Sequence, residues 1–452
     1  MSLVPLLMLL LLLVAVRSTV VAAVKVSRPR DRSGVSLKQR YLTMTCVGKL
    51  TVKELGKRFQ RLHVAFLQMT VLGAHAHAGA LYGHMLQIRD EVERLTTYDD
   101  AVEGVVRVSR SPNEYRRMLS IQSAMQFLRN HVGQFEHTFG FTPLQVLELL
   151  QTGVVGNHNF HAQKRGSLNP EGMLLLLLGR MSSKTSTVSE MSSWWGVDAA
   201  FASAFAGIGL RYVLQHWGHL LDFASLQARV GHRLPEFRHA MAYIYSKAMG
   251  YNSLFHLPGM FKNCCFALDG VRSEICRPTV GQREMYNKYV GFHNLGYIGL
   301  VGPDSLVYAL TEPSAGRAND PGMVMQHNVN LHLSAAHLPG QTPARALCDS
   351  AFGYSPFLSP LPRRNQALYN MLGDDRRRAL SASRIIVEWA FGEASMLFPY
   401  IEGLLHMKIF QTRPGLAFRV AHLFLNFKHC MVGANATLYG ECFPPTLQTY
   451  MV

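Results

Sequence analysis

The sequence predicts an α/β protein in which a mostly α-helical N-terminal region precedes a region of alternating strands and helices. Two observations support this prediction. Helical patterns continue to about residue 259, whereas from Lys262 short apolar runs end in turn residues or acids, as buried strands do. With 452 residues, 48% of them apolar, the chain can form roughly two or three domains with sizeable cores.

The net charge is +16 and is unevenly distributed. Residues 1–259 contain 28 basic and 16 acidic residues, a net charge of +12, whereas residues 260–452 contain 17 and 13, a net charge of +4. A positive field of this kind attracts polyanions such as nucleic acid or an anionic membrane surface. On charge alone, a basic protein without a polyanionic partner remains the alternative.

The cysteine pattern favours reduced thiols inside a cell. There are seven cysteines, an odd number, and no two of them form a C-x-x-C pair. Both facts argue against a disulfide framework and against a structural zinc site.

Helix signals are strongest between residues 167 and 217. Asn169-Pro170-Glu171 is typical of a helix start, because it combines a capping side chain, a proline in the first turn and an acid near the positive end of the helix dipole. The run Leu174–Leu178 follows and must be buried.

A helix-turn-helix is predicted in the same stretch. Thr187–Trp195 and Ala199–Trp217 have helical patterns, and Gly196-Val197-Asp198 between them is a tight turn. The second helix lacks base-reading side chains in its first two turns, so we do not expect it to read sequence in the major groove.

Strands predominate after Lys262. Asn263–Leu268 is a short apolar run that ends in Asp269-Gly270, and we expect a buried strand with Asp269 at its tip. Phe292–Val301 and Ser305–Thr311 are two further strands, joined by the turn Gly302-Pro303-Asp304.

Three more acids follow predicted elements. The loop Gly316–Gly322 presents Asp320, and the short strand Ala344–Cys348 ends in Asp349. The helix Ser383–Leu397 carries Glu388, with Arg384 one turn earlier on the same face.

Acids at strand ends and on a following helix can converge on one point. Like charges there raise one another's pKa, and divalent cations relieve the repulsion. Carboxylate oxygens with open water positions suit Mg²⁺ or Mn²⁺, and two such ions can catalyse displacement at phosphorus.

Four blocks between residues 260 and 400 resemble those of Harbinger-type transposases, in the same order. The first is A-L-D-G-V-R-S-E-I-C-R-P (267–278) with Q-R-E-M-Y-N (282–287) and His293. The others are P-D-S-L-V-Y-A-L (303–310) followed by G-R-A-N-D, then L-C-D-S-A-F-G-Y (347–354) and S-A-S-R-I-I-V-E-W-A-F-G (381–392). This chain departs from the family pattern at Pro321 and Cys348, and neither change removes a ligand.

The resemblance implies an RNase H-like nuclease domain at residues 260–405, with a mixed sheet and flanking helices, followed by a C-terminal extension at 406–452. It identifies Asp269, Asp320, Asp349 and Glu388 as the ligands of Mg²⁺ or Mn²⁺, and Asp269, Asp320 and Glu388 as catalytic. It also implies that Arg277 and His293 either approach the DNA backbone or make structural hydrogen bonds. Arg384 either holds a phosphate or Glu388, or is half of a helix-surface pair.

The implied function is cleavage of phosphodiester bonds at transposon ends and joining of the freed ends to target DNA. The implied partners are DNA, a separate Myb-like protein and further copies of this chain. A non-catalytic DNA-binding protein descended from a transposase is the alternative.

The N-terminal segment is apolar, as in proteins that enter the secretory pathway or a membrane. Residues 3–16 form an apolar run within the segment 1–24, and a basic arm (25–45) and the helical region (46–259) follow. A secretory signal, a membrane anchor and a stretch wrongly joined to the coding sequence are all open. We favour the last and a nuclear location, with a membrane role not expected, because a DNA-processing enzyme has no substrate in the secretory pathway.

Overall fold

The computed structural model describes residues 119–128, 131–162, 165–183, 195–251, 257–402 and 413–452. The predicted N-terminal segment 1–24 and basic arm 25–45 lie outside these ranges, as does most of the first helix of the predicted helix-turn-helix. The helix-turn-helix therefore stays a prediction. Within the described ranges, no helix is both long and apolar enough to cross a membrane, and the six cysteines they contain are free thiols.

Helices make up most of the described residues before 257. They are α1 (Ile121–Phe127), α2 (Val132–Phe139), α3 (Pro143–Gln151), α4 (Pro170–Met181), α5 (Ala199–Trp217), α6 (Leu226–Val230) and α7 (Leu234–Ala248). An antiparallel hairpin, β1 (Phe160–Ala162) and β2 (Gly166–Leu168), lies between α3 and α4.

The predicted start of α4 is confirmed. The Asn169 side chain accepts a hydrogen bond from the Gly172 amide at 2.8 Å, and Pro170 is the first helical residue. Glu171 also accepts a hydrogen bond from the Ile121 amide at 2.7 Å, which ties the helix start to α1. All five residues of Leu174–Leu178 are fully buried, so α4 is a core helix.

A mixed sheet of seven strands follows. Its strands are β3 (Cys264–Glu274), β4 (Tyr286–Asn287), β5 (Phe292–Val301), β6 (Val307–Leu310), β7 (Ser314–Ala315), β8 (Arg345–Cys348) and β9 (Leu358–Pro360). β3 pairs antiparallel with β5 and parallel with β8, and β8 pairs parallel with β9. β4, β6 and β7 each pair antiparallel with β5.

Helices flank this sheet, which confirms the predicted α/β class with a mixed sheet. One of them is α7, which packs on β3. The helices after residue 257 are α8 (Gln282–Met285), α9 (Asp320–Gln326), α10 (Val329–Ala335), α11 (Ala367–Leu397), α12 (Pro414–Val432), α13 (Asn435–Gly440) and α14 (Leu447–Tyr450). A non-helical residue, Gly373, interrupts α11.

The strand predictions differ from the structure in one important place. The predicted strand Phe292–Val301 is confirmed, whereas Asn263–Leu268 was too short, because β3 runs on to Glu274. Its second half is a strand because residues 267–274 pair with residues 294–301 of β5. Asp269 therefore lies in the middle of β3 and not at its tip.

Two glycines of β5 allow helices to approach opposite faces of the sheet. Gly299 pairs with Asp269 and Gly296 pairs with Arg272, and positions three residues apart on a strand face opposite sides. A side-chain carbon on Gly299 would clash with the ring of Phe391 on α11, and one on Gly296 would lie 2.8 Å from Met323 Sδ on α9. Helix α11 therefore packs on the Asp269 face, and α9 packs on the Arg272 face.

We expect Gly299→Ala to lower the free energy of unfolding by about 1–3 kcal/mol, because the added methyl group overpacks the Phe391 contact. Urea unfolding of the purified protein measures this. Adding Phe391→Leu should recover part of the loss, because the two residues share one contact. Gly353→Ala is the control, since no atom lies within 4 Å of an added carbon there. An equal effect of both alanine variants would contradict this packing.

Candidate active site

Asp269 and Asp349 lie side by side where β8 ends beside the middle of β3. The last register pair of the parallel strands β3 and β8 joins Leu268 to Cys348, and each acid is the next residue in its chain. Asp269 Oδ1 accepts a hydrogen bond from the Gly270 amide at 2.9 Å, and Asp349 Oδ1 accepts one from the Ser350 amide at 2.6 Å. The sheet therefore brings two carboxylates together from strands that are far apart in sequence.

Helix α11 adds Glu388 through an arginine. Arg384 Nη1 donates to Asp269 Oδ2 at 2.5 Å, and Nη2 of the same guanidinium donates to Glu388 Oε1. The Arg384 side chain is only 16% exposed, so it is not an ordinary helix-surface residue. Of the alternatives that the sequence left open, the contact with Glu388 is present, and Arg384 extends it to Asp269.

The electrostatics agree with this geometry. Burial raises the pKa of Asp269 above its ordinary value, and the nearby Asp349 carboxylate raises it further, whereas Arg384 and the Gly270 amide oppose the rise. Burial lowers the pKa of Arg384, but the carboxylates of Asp269, Glu388 and Asp349 outweigh that effect and raise it overall. Three acids and one arginine thus form a single coupled cluster, which we call the carboxylate cluster (Asp269, Asp349, Glu388 and Arg384).

Asp320 lies on the other face of β3. It begins α9, where Asn319 caps the helix by accepting a hydrogen bond from the Gly322 amide at 2.8 Å. A side-chain carbon on Gly270 would lie 2.8 Å from Asp320 Oδ1, and neighbouring residues of a strand point to opposite faces. Asp269 and the rest of the carboxylate cluster lie on one face of β3, so Gly270 and Asp320 lie on the other face.

Asp320 has its own cationic partner on that second face. Arg272 Nη2 donates to Asp320 Oδ1 at 3.0 Å, and Arg272 Nη1 donates to the Gly316 carbonyl at 3.0 Å. The structure therefore brings together three of the four predicted acids and leaves Asp320 apart from them. Pro321 lies in the first turn of α9, where a proline starts a helix well, so this departure from the family pattern has a local structural reason.

The remaining predicted residues have structural neighbours. Arg277 donates two hydrogen bonds, at 3.0 and 2.8 Å, to Gln282 Oε1, and the His293 ring lies 5.2 Å from the Tyr286 ring. Cys348 is fully buried at the end of β8, and burial raises the pKa of its thiol. It is therefore a small core residue of β8.

The donor chemistry of the carboxylate cluster fits Mg²⁺ or Mn²⁺, because its acidic ligands are hard carboxylate oxygens. Among the described residues, however, no group of three or more His, Cys, Asp or Glu side chains is arranged to hold a metal ion. The guanidinium of Arg384 bridges Asp269 and Glu388 and provides the compensating positive charge. A metal ion that bound Asp269 Oδ2 or Glu388 Oε1, the two oxygens that Arg384 contacts, would have to displace the guanidinium from that oxygen.

Sequence reasoning missed the residues on the second face of β3. Arg272 lies in the first of the four blocks but had no predicted role, although its spacing of two from Gly270 places both on one face of a strand. Arg283, Lys288 and Arg317 were likewise not singled out, and they line a cavity of about 910 Å³ beside Asp320. A strand continuing through Asp269 was the signal that could have found this face.

Residues 268–421 match the family model of the DDE superfamily endonucleases. This match supports a DDE nuclease domain in that part of the chain, and the matched stretch contains every member of the carboxylate cluster. No curated protein and no solved structure matches the chain.

In the presence of EDTA, which removes metal ions, lowering the pH should raise the free energy of unfolding of wild type relative to that of Asp269→Asn. Because the folded-state pKa of Asp269 is raised, the folded protein binds this proton more tightly than the unfolded chain does. The cost of keeping Asp269 ionised is therefore present at neutral pH and disappears as the pH falls through the raised pKa.

Urea unfolding of both proteins between about pH 7 and pH 4 measures this difference. Asp375→Asn, which removes an exposed partner of Arg378 on the same helix, is the control. If acidification instead lowered the free energy of unfolding of wild type relative to Asp269→Asn, the pKa of Asp269 would be lowered in the folded state. That result would contradict the burial argument.

Proposed function

We propose that this chain is a divalent-metal-dependent DNA nuclease of the transposase type, with Asp269, Asp349 and Glu388 as its metal ligands. The observation that carries the proposal is the meeting of these three acids, from two parallel strands and one helix, on one face of β3. This convergence lies within the stretch that matches the DDE superfamily endonucleases. DNA is the substrate class of such a domain.

The chemistry follows from what each residue can do. When bound, Mg²⁺ or Mn²⁺ would activate the attacking hydroxyl and stabilise the leaving oxygen in displacement at phosphorus. The pairing of β3 with β8 holds the backbone on which Asp269 and Asp349 lie, and this pairing does not involve Arg384. Arg384, once released, offers a planar guanidinium that can bind a phosphate through two hydrogen bonds.

The finer assignment rests on the sequence resemblance. The four blocks favour a Harbinger-type element protein, which cleaves transposon ends and joins them to target DNA. A Myb-like protein and further copies of the chain are the proposed partners, and the nucleus is the proposed location. The structure adds one reservation on the site, because Asp320, a predicted ligand and catalytic residue, lies across the strand from the other three acids.

One observation favours a second function. Arg384 pairs with Asp269 and Glu388, and Arg272 pairs with Asp320, so arginines already compensate three of the four acids. A DNA-binding protein that no longer needs a metal would be stable in this state. Non-catalytic DNA binding is therefore the alternative.

Plasmid nicking by the purified chain in Mg²⁺ or Mn²⁺ separates these functions. We expect Asp269→Asn, Asp349→Asn and Glu388→Gln each to lower the nicking rate by about 100-fold or more, because each removes a metal ligand. Asp375→Asn and Glu148→Gln change exposed acids outside the cluster and should nick at the wild-type rate.

Asp320→Asn tests whether the metal ligands are the four acids predicted from the sequence or only the three acids of the carboxylate cluster. A loss as large as that of Asp349→Asn would mean that Asp320 reaches the metals, as the sequence predicted. If wild type binds DNA but cuts it in neither metal, the non-catalytic function replaces the nuclease.

The location can be tested separately. We expect the full chain and a chain lacking residues 1–24 to accumulate in the nucleus to the same extent, because all the basic residues except Arg17 lie after this segment. Fluorescence microscopy of tagged proteins measures this. Secretion or membrane retention that disappears on deletion would instead identify residues 3–16 as a signal or an anchor.

A further inference from the structure

We propose that the cavity on the second face of β3 binds an unpaired nucleotide of the DNA substrate, with its phosphate among the basic residues and its base on Tyr289. We call this cavity the second-face pocket; the residues that carry the argument are Arg272, Arg283, Lys288, Tyr289, Arg317 and Asp320. The choice of DNA as the ligand rests on the proposed function.

The charges of the pocket favour an anion. Arg272 already pairs with Asp320, whereas Arg283, Lys288 and Arg317 are exposed and make no ion pair within the described parts of the chain. Three uncompensated cations around about 910 Å³ of open space can compensate the charge of a backbone phosphate. The single carboxylate of Asp320 reduces this positive charge without cancelling it.

Tyr289 favours a base beside that phosphate. Its side chain is 97% exposed, which is unusual for a large aromatic side chain. The turn that carries it is well defined, because Asn287 Oδ1 accepts hydrogen bonds from the amides of Tyr289 at 2.9 Å and Val290 at 3.3 Å. An exposed ring on a fixed turn can stack on the face of any base, and only an unpaired base offers its full face.

The rest of the turn is fixed to the protein body. Asn287 Nδ2 donates to the Gly316 carbonyl at 2.8 Å, and the same carbonyl accepts a hydrogen bond from Arg272 at 3.0 Å. The Gly291 amide donates to the Asn287 carbonyl at 2.9 Å and closes the turn. The aromatic side and the cationic side of the pocket therefore keep their relative positions before any ligand arrives.

Fluorescence anisotropy with a labelled single-stranded oligonucleotide in EDTA tests the pocket on the full chain without cleavage. We expect Arg283→Gln/Lys288→Gln to weaken binding about tenfold and to lower the slope of log affinity against log salt by about 1.4, as for two lost phosphate contacts on a single strand. Lys262→Gln/Arg376→Gln removes one lysine and one arginine elsewhere and is the matched control. Equal effects of the two pairs would overturn the pocket.

Three variants of Tyr289 test whether its ring stacks on a base. Tyr289→Ala should weaken single-strand binding about tenfold, whereas Tyr289→Phe and Tyr289→Trp should retain it, because they keep a stacking ring. Binding of a blunt duplex should change little in Tyr289→Ala. An equal loss on duplex and single strand, or no loss on either, would overturn the stacking role.

These results are independent of the nuclease test. If the pocket variants bind like their controls while wild type nicks plasmid, the pocket fails and the nuclease stands. If wild type never nicks but the pocket variants specifically lose oligonucleotide binding, the nuclease fails and the pocket stands. If wild type binds no oligonucleotide, the pocket fails whatever the nicking result.

Discussion

The close approach of two helices to the paired strands β3 and β5 is the constraint on which the rest of the structure depends. It is possible because Gly299 and Gly296 carry no side chain at the points where α11 and α9 contact the sheet. Strand residues alternate between the two faces, so Gly299 and Gly296 lie on opposite faces of the sheet. Helix α11 packs on the face of Gly299, and α9 packs on the face of Gly296. The position of Arg384 and Glu388 follows from the first contact, and that of Asp320 from the second.

Like charges gathered on one face of β3 need compensation, and in this structure an arginine provides it. Burial and Asp349 both oppose ionisation of Asp269, and Arg384 offsets them. The same guanidinium also holds Glu388, so the acids remain close to one another without a metal. A metal ion that bound either of the oxygens held by Arg384 would break that ion pair, so its apparent affinity would include the free-energy cost of breaking the pair.

The features that depend only on neighbouring residues in the sequence were predicted correctly. The cap at Asn169, the buried leucine run after it and the strand Phe292–Val301 could be read from neighbouring residues alone, and they are confirmed. The meeting of Asp269, Asp349 and Glu388 depended on the family resemblance, since parallel strand register cannot be read from spacing.

The extent of β3 and the side on which Asp320 lies could not be predicted locally. Both depend on pairing with β5, which comes later in the chain, and Gly270 alone reads as a turn residue rather than as the middle of a strand. Arg272, which holds Asp320, was missed for the same reason. Arg272 and Asp320 are 48 residues apart in sequence, and only the contact of α9 with the sheet brings them together.

The separation of the two faces has an evolutionary consequence. If the proposed nuclease is correct, a single substitution on the carboxylate face would be enough to end cleavage in a descendant of this chain, while the basic and aromatic residues across the strand remain as they are. Selection could then act on the proposed DNA binding alone. Because Asp269 and Gly270 face opposite sides of β3, the proposed catalysis and the proposed recognition could be inherited, and lost, one at a time.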